Sequence, residues 1–435
     1  MTIDSEWVKI LKRSKPDAFF ANLPQKCEAA FIDGQIKLNC GQNIITWKQF
    51  VEYQFVNPIK MFFGMGCHTV VLGFDNYDHV PTAKGPTQRI RNKCMPSIKV
   101  LEDDALPRCV PENFPSMMRN RVFKTKVILM VLNALEEVFK SESLVQAKRS
   151  LIFDYKNRPK ILGVDITLPA FFSDIPDPEV LLRRGECDIK AFDWMFFESL
   201  LIDSVDGDYV PMGIIQQQTH ARNGNNCHVV LRRLELNIET DKSKKRPRGR
   251  IYEFVDVPAL CQYVESEFKS YENPALQFAA MCSLSGCDFT MNLPALGPTR
   301  LWQARVFLLK HQISFDSQNG ILKAVICNYI SLFQKHLNTR HEEVIFVDDT
   351  EGLMTIYKTM RDCIEKCPKI SQRTKDRIWT DHRVLTHCKN VNWTMQYWTK
   401  LKEYPDPLEI LEEGVSSKWG FVKQKNIVVF EEITN

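Results

Sequence analysis

The sequence has no apolar run long enough to cross a membrane, and its charge is not strongly one-sided. The longest apolar run, Val127 to Leu135, spans nine residues and contains Asn133, whereas a membrane helix needs about 18 residues. Asp4, Glu6 and Lys9 interrupt the first apolar positions, which excludes an ordinary signal peptide. Hydrophobic residues make up 44% of the chain and charged residues 25%, which is typical of globular proteins. We therefore expect a soluble intracellular protein with no membrane partner.

Cysteine is common, but it forms no disulfide-like pattern. The 14 cysteines are scattered and mostly in apolar surroundings, which indicates reduced core residues in a reducing compartment. One group deserves separate consideration: Cys363 and Cys367, followed by His382, His387 and Cys388. Its spacing fits two successive turns of a helix as well as a zinc-ligand pair, so zinc binding stays open beside simple packing.

Three short apolar runs in the first half of the chain each stop at an acid. The run from residue 27 ends at Asp33, the run from 68 ends at Asp75, and the run from 200 ends at Asp206 and Asp208. Their alternation with helical stretches predicts an α/β fold with a mostly parallel central sheet flanked by helices. Ligands bind beyond the carboxyl ends of parallel strands. One strand-terminal Asp is usually a turn former, but three predict a common cleft.

Further acids occur where helices begin or end. Glu186 and Asp188 fall in the first turn of a predicted helix, where the helix dipole alone could explain them. Asp288 follows the end of an apolar helix, where the same dipole disfavours an anion. A turn at Gly297 and Pro298 then opens a new helix.

The rest of the chain indicates a helical second half and one strongly basic segment. Residues 242–250 carry a charge of +6 and separate two strand-like pieces, which predicts the tip of a hairpin over about 228–254. From residue 257 to about 401 the pattern is largely helical. An amphipathic helix over about 123–139 has an apolar face that we assign to the core. The net charge of +4, from 57 basic and 53 acidic residues, does not by itself indicate a nucleic-acid partner.

Taken in order, these motifs resemble those of the flap endonuclease/XPG-type family of structure-specific 5′-nucleases, over about residues 29–310. The matching acids are Asp33, Asp75, Glu186, Asp188, Asp206, Asp208 and Asp288. The resemblance implies a PIN-like nuclease core over residues 1–345. Within that core it implies an arch or cap at about 84–184 and a helix-two-turn-helix at about 275–310. Residues 346–435 would form a mainly helical extension.

The resemblance also implies a two-metal site. Seven acids in one cleft need compensation, because two like charges about 4 Å apart repel by roughly 4 kcal/mol at an effective dielectric near 20. Two Mg²⁺ ions, with Mn²⁺ as a substitute, would supply it. Asp33, Asp75, Glu186 and Asp188 would hold one ion, with Asp188 bridging, and Asp206, Asp208 and Asp288 would hold the other. Lys84 and Arg89 would be the catalytic basic pair, with Arg91 as an alternative to Arg89.

The same resemblance assigns the nucleic-acid contacts. The residues expected to bind nucleic acid are Arg91, Lys93, Lys124, Lys126, Lys244, Lys245, Arg246, Gly297, Thr299 and Arg300. The main-chain carbonyls of Asn292, Leu293 and Leu296 would hold K⁺. The helix that carries Lys124 and Lys126 is the candidate for part of the arch. The basic run at 242–250 favours the nucleus as the location.

Some positions depart from the family. The chain begins Met1-Thr2-Ile3 rather than Met-Gly-Ile, Asn76 replaces a glycine, and no clamp-binding motif is present. The leading hypothesis is a metal-dependent nuclease acting on branched or 5′-ended DNA in replication, recombination or repair. The alternatives are an RNase of the same fold, either a 5′ exoribonuclease or a virus-type mRNA-degrading factor, and a catalytically inactive scaffold. Inactive relatives lose carboxylates, whereas all seven positions here are acidic.

Overall fold

A computed structural model gives the fold of most of the chain. It describes residues 3–38, 44–75, 109–111, 114–118, 120–155, 159–169, 172, 187–234, 252–287, 290, 293, 296–337, 341–376, 378–399, 421–424 and 427–430. Within these residues, no helix combines the length and apolar character that crossing a membrane requires. No disulfide joins the cysteines in the same part of the chain.

A mixed, mostly parallel sheet of eight strands forms the centre of the protein. Its strands are β1 (Phe19–Phe20), β2 (Ala29–Asp33), β3 (Thr69–Gly73), β4 (Ser150–Asp154), β5 (Lys160–Gly163), β6 (Ser199–Asp203), β7 (His228–Leu234) and β8 (Tyr252–Asp256). Their spatial order is β1-β8-β7-β6-β2-β3-β4-β5. The five central strands, β7, β6, β2, β3 and β4, are all parallel, and β5 and β8 join them antiparallel. The predicted α/β class is confirmed. A separate hairpin pairs β9 (Phe421–Gln424) with β10 (Ile427–Phe430).

Helices cover both faces of the sheet, because each strand is apolar on both sides. Phe31 and Ile202 belong to one hydrophobic core, whereas Ile32 and Leu201, the next residues along the same strands, face the other. The helices that contribute to the first core are α1 (Ile3–Ser14), α8 (Cys187–Asp193), α9 (Tyr209–Arg222), α10 (Val257–Glu267), α11 (Pro274–Ser285), α12 (Pro298–Lys310), α13 (Gln318–Phe333), α14 (His341–Ile345), α15 (Thr350–Lys366) and α17 (Asp381–Thr399).

The opposite face is covered by the helices that lie between β2 and β4 in the chain. They are α2 (Gly34–Leu38), α3 (Trp47–Val51), a π-helical turn (Glu52–Val56), α4 (Asn57–Gly64), α5 (Phe114–Met117), α6 (Arg121–Val138) and α7 (Ser141–Gln146). A short exposed helix, α16 (Gln372–Lys375), completes the set. The predicted helical stretch after residue 257 is therefore confirmed to residue 399.

The segment expected to form an arch is partly built into the core instead. Helix α6 is capped by Asn120, whose side chain accepts the backbone N–H of Phe123. Its Val127, Val131 and Leu135 are fully buried under the sheet, so the assignment of this face to the core is confirmed. Strands β4 and β5 also fall inside residues 84–184 and extend the sheet. Residues 114–118, 120–155 and 159–163 thus cover or extend the sheet, and an arch within residues 84–184 stays a prediction. Residues 76–108 lie outside the described residues.

The arms of the predicted basic hairpin are confirmed. Strands β7 and β8 pair antiparallel, with Leu234 opposite Tyr252. The basic tip, with Lys244, Lys245 and Arg246, lies outside the described residues.

The last helices of the described chain pack on the helices that precede them and share their core. Helices α15 and α17 share the first hydrophobic core with α11 and α13. Gln216 in α9 donates a hydrogen bond to the carbonyl of Trp398 in α17, at 2.6 Å. The helices after residue 346 thus pack in the same layer as α9, α11 and α13, on one face of the sheet.

The described structure does not bring the cysteine–histidine group together as one set of metal ligands. His387 and Cys388 are buried in α17, whereas Cys363 and Cys367 are half-buried. His387 Nε2 lies 3.2 Å from the carbonyl oxygen of Leu284, at the end of α11, and its Nδ1 has no hydrogen-bond partner. Among the described residues, no three His, Cys, Asp or Glu side chains form a group that could hold a metal ion. Packing within the helix layer explains these residues.

We expect His387 to make the protein acid-sensitive. Burial, opposed in part by the hydrogen bond with the Leu284 carbonyl and assisted by the charge of Arg383, lowers the pKa of this imidazole from 6.5 to about 4. The folded state therefore resists protonation that the unfolded chain accepts. The free energy of unfolding is therefore highest above pH 6.5, and it falls by about 3 kcal/mol as the pH is lowered to 4.

Urea unfolding between pH 7.5 and 4 measures this loss, with His387→Gln as the test variant and exposed His336→Gln as the control. Gln keeps an N–H for the Leu284 carbonyl but does not titrate, so its profile should be flatter. A loss of equal size in the wild type and in His387→Gln would contradict the assignment.

Candidate active site

Three neighbouring parallel strands bring acids to one edge of the sheet. Strand β2 lies between β6 and β3, and all three run in the same direction. Asp33 is the last residue of β2, Asp75 follows the end of β3, and Asp206 follows the end of β6. The structure therefore places these three strand-end acids at the same edge of the sheet.

Asp33 is the buried centre of the group. Its side chain is 4% exposed, and its Oδ1 accepts the backbone N–H of Gln35 at 3.0 Å. Its Oδ2 accepts the hydroxyl groups of Ser204, at 3.2 Å, and Tyr209, at 3.1 Å. Four donors therefore fix the carboxyl group, counting the N–H of Ile36 at 3.3 Å.

The surrounding charges act strongly on Asp33. Burial, together with the carboxylates of Asp75, Asp188 and Asp206, raises its pKa to about 7. The backbone N–H of Ile36 opposes this rise, but it does not outweigh it. Four of the seven predicted acids thus interact electrostatically within one site.

Asp188 reaches the site from the first turn of α8, and Asp75 holds the start of that helix. Asp75 Oδ1 accepts the backbone N–H of Cys187 at 2.8 Å. Asp188 is buried, and its Oδ1 accepts the N–H of Ile189 at 3.0 Å. Both carboxylates therefore lie at a helix N-terminus, where the helix dipole partly offsets their charge.

Asp206 and Asp208 occupy the loop between β6 and α9. The N–H of Asp206 donates to Ser204 Oγ at 3.2 Å, and the N–H of Asp208 donates to Asp206 Oδ1 at 3.2 Å. Asp206 is half-buried and Asp208 is buried, as the residue that precedes α9. Strand β6 ends at Asp203, three residues earlier than the sequence suggested. Asp206 is thus a loop residue, which gives its carboxylate access to solvent.

Two buried groups beside the acids stay uncharged. Burial raises the pKa of Cys187 and of Tyr209 well above their ordinary values, and in each case Asp33 is the strongest nearby charge. Cys187 is therefore a thiol and Tyr209 a neutral hydrogen-bond donor. Because nucleophilic attack requires the thiolate, Cys187 is not suited to covalent catalysis.

A fully buried lysine stands behind the acids. Lys190 Nζ donates to the carbonyl of Phe74 at 2.9 Å and lies 3.9 Å from Asp154 Oδ1. Asp154, at the end of β4, also accepts the indole N–H of Trp194 at 2.9 Å. The charge of Lys190 lowers the pKa of Cys187, whereas the neighbouring carboxylates raise it. Lys190 is thus a fixed positive charge at the base of the site.

The turn between α11 and α12 is described only in part. Gly286 ends α11 with a φ of +107°, and Gly297 precedes Pro298 at the start of α12. Leu293 and Leu296 are buried. Thr299 and Arg300 are exposed in the first turn of α12, as a phosphate-binding helix start requires.

The N-terminal helix holds this turn in place. Trp7 in α1 donates its indole N–H to Ser285 Oγ at 2.7 Å and contacts the ring of Trp302 edge to face. Thr299 Oγ1 donates to the carboxylate of Glu6 at 2.7 Å. Helix α1 therefore connects the end of α11 to the start of α12.

Of the remaining predicted residues, the two described lysines of α6 are not brought to the acids. Lys124 and Lys126 are half-buried on α6, in the helix layer that covers the opposite face of the sheet. The predicted residues that lie outside the described part of the chain are Lys84, Arg89, Arg91, Lys93, Glu186, Lys244, Lys245, Arg246, Asp288 and Asn292.

The donor set fits a hard cation. The described site offers carboxylate oxygens, the ligands that Mg²⁺ and Mn²⁺ prefer. As they stand, the described carboxylates do not complete a group of three around one position. Glu186 and Asp288 are the further expected ligands.

Sequence reasoning missed the side chains that orient the acids. Ser204 and Tyr209 flank the pair of acids after β6, and Lys190 follows Asp188 by half a helical turn. Their proximity in sequence was the available signal, because residues beside a strand-end acid share its position at the sheet edge.

No protein-family model matches the chain, and no curated protein matches it. The expected resemblance to 5′-nucleases therefore rests on the order of the acidic motifs in the sequence.

Proposed function

We propose that the chain is a Mg²⁺-dependent nuclease of the flap endonuclease/XPG type, which hydrolyses phosphodiester bonds in branched or 5′-ended DNA. The observation that carries the proposal is the convergence of Asp75, Asp188 and Asp206 on the buried carboxyl group of Asp33. Such a group is unfavourable as a purely structural feature, because each added carboxylate raises the free energy of the ionised state.

The residues have distinct roles in this proposal. Asp33, Asp75, Asp188 and Asp206 would hold Mg²⁺, together with Glu186, Asp208 and Asp288. When bound, Mg²⁺ supplies Lewis-acid stabilisation of the attacking and leaving oxygens of a phosphodiester. Tyr209 and Ser204 keep the Asp33 carboxylate in one orientation through their hydroxyl groups.

The fold is compatible with the finer parts of the proposal. A parallel sheet with acids at the carboxyl ends of its central strands fits a PIN-like core. The helix pair around Gly286 and Gly297 fits a helix-two-turn-helix that grips the duplex, with K⁺ held by the carbonyls of Asn292, Leu293 and Leu296. The basic run at 242–250 favours a nuclear location.

We expect purified protein with Mg²⁺ to cut DNA that has a 5′ single strand at a duplex junction. The test compares 5′-flap, nicked, four-way and single-stranded DNA with single-stranded RNA, each with Mg²⁺ and with EDTA. Cleavage should require Mg²⁺ and should be fastest on branched DNA.

The other outcomes separate the alternative functions. Cleavage of RNA with every DNA left intact would replace the DNA proposal with an RNase of the same fold. Tight DNA binding with no cleavage of any substrate, in Mg²⁺ or in Mn²⁺, would favour the inactive scaffold.

A further inference from the structure

A second charged cluster lies at the same edge of the sheet, on the face opposite Asp33. Its centre is Asp203, the last residue of β6, whose side chain is 2% exposed. Lys37 Nζ lies 2.7 Å from Asp203 Oδ2, and Arg232 Nη1 donates to Asp203 Oδ1 at 2.7 Å. We call Lys37, Asp203 and Arg232 the basic triad.

Strand alternation puts the basic triad and Asp33 on opposite faces. Asp203 and Arg232 are register partners in β6 and β7. In a strand, residues two positions apart lie on the same face of the sheet. Asp203 therefore shares a face with Leu201, and Arg232 with Val230, and both of these apolar residues belong to the core under α2 to α7. Asp33 instead contacts Tyr209, which belongs to the other core.

The same chain segments nevertheless carry both groups. Lys37 follows Asp33 by one helical turn in α2, and Asp206 follows Asp203 by three residues. The basic triad is therefore attached to the elements that position two of the four clustered acids.

Arg232 is held in a fixed orientation. Its guanidinium group lies 3.7 Å from the ring centre of Tyr252 and 5.7 Å from that of Phe62. Of its guanidinium nitrogens, Nη1 makes the hydrogen bond to Asp203 within the described residues. A stacked guanidinium with donors remaining is the geometry that recognises phosphate oxygens.

The charge balance of the basic triad also indicates an anionic ligand. Two cations face one carboxylate, which leaves a net charge of +1. The side chains of Lys37 and Arg232 are 13% and 11% exposed, and within the described residues neither pairs with a second acid. One of the two cations neutralises Asp203. The positive charge of the other is then available to an anionic ligand.

We propose that Lys37 and Arg232, aligned by Asp203, bind a backbone phosphate of the nucleic acid beside the acid cluster. The inference rests on the proposed function, and it assigns to the enzyme a phosphate contact on the face of the sheet away from Asp33. Asp203 is a positioning residue, which holds the two cations at a fixed separation.

The test measures DNA binding as a function of salt for Lys37→Gln and Arg232→Gln. Each is made in an Asp206→Asn background with Mg²⁺, so that the strand is not cut. Loss of one charged contact should weaken binding by about tenfold and should lower the salt slope by about one. Each variant leaves Asp203 one cation, which protects the fold.

Two further variants complete the design. Lys26→Gln removes an exposed charge before the amino end of β2, at the opposite edge, and should leave both affinity and slope unchanged. Arg232→Lys keeps the ion pair to Asp203 and should retain most of the slope, although it loses the stacked guanidinium.

The contrary results are distinct. If both Gln variants bind with the affinity and salt slope of Asp206→Asn while the wild type cuts DNA, the basic triad is only structural and the inference is wrong. If the wild type neither binds nor cuts nucleic acid, the proposed function fails and the inference fails with it.

Discussion

Asp206→Asn is expected to lower Mg²⁺-dependent cleavage by about two to four orders of magnitude, because it removes one of the charged oxygens that would hold the metal in the proposed site. The folded protein should survive the change. Asn retains the side-chain oxygen that accepts the N–H of Asp208. The negative charge of Asp206 is one of those that raise the pKa of Asp33.

Without metal, the same variant should be at least as stable as the wild type. The folded-state pKa of Asp33, about 7, lies above its ordinary value of 3.8. Stability therefore falls as the pH rises from 3.8 to about 7, and the full loss is present above pH 7. Removing the Asp206 charge reduces this loss. Added Mg²⁺ should raise the melting temperature of the wild type more than that of the variant.

Melting curves with and without Mg²⁺, run beside a cleavage assay, test both parts. Asp17→Asn, which removes an exposed acid outside the site, serves as the control. A variant that is destabilised in EDTA but cuts DNA at the normal rate would exclude Asp206 from the site and mark it as a turn-forming residue.

Lys190→Met is expected to lower the free energy of unfolding by about 3–5 kcal/mol, the usual effect of removing one partner from a buried charge pair. Lys190 and Asp154 are both fully buried. Without Lys190, Asp154 keeps the indole N–H of Trp194 as a donor but loses the neighbouring positive charge. The acids around Asp33 also lose the cation closest to their helix.

Urea denaturation of the single variant and of Lys190→Met/Asp154→Asn separates charge from packing. The change Asp154→Asn removes the carboxylate that has lost the Lys190 charge, and it should recover about 1–3 kcal/mol. Exposed Lys60→Met is the matched control and should change stability by less than about 0.5 kcal/mol. A small loss in Lys190→Met, with no recovery in the double variant, would show that the pair contributes little.

The strand-end acids could be predicted because their signal is local. Asp33 and Asp75 each follow a short apolar run, and parallel strands bring their carboxyl ends together whatever the rest of the chain does. The match of Asp188 to a helix start was equally local. These residues required only the order of strands and helices.

The neighbours of the acids could not be predicted because they depend on register and on facing layers. Nothing in the sequence distinguishes Asp203 from other strand residues. Only the pairing of β6 with β7 places Arg232 beside it. Strand β4 was missed because its apolar core is short and follows Lys148 and Arg149. From the sequence alone, Lys190 would be taken for an exposed helix residue; its burial follows from the packing of α8 on β2 and β3.

Helix α1 is synthesised long before the residues that bury it. Trp7 and its hydrogen-bond partner Ser285 are 278 residues apart. At a synthesis rate of about 5–20 residues per second, roughly 15–55 s pass before that partner is made. During this time the side of α1 that packs on α11 and α12 has no native partner. An apolar helix face therefore stays exposed in the nascent chain until these two helices have been made, and α1 reaches its native place late.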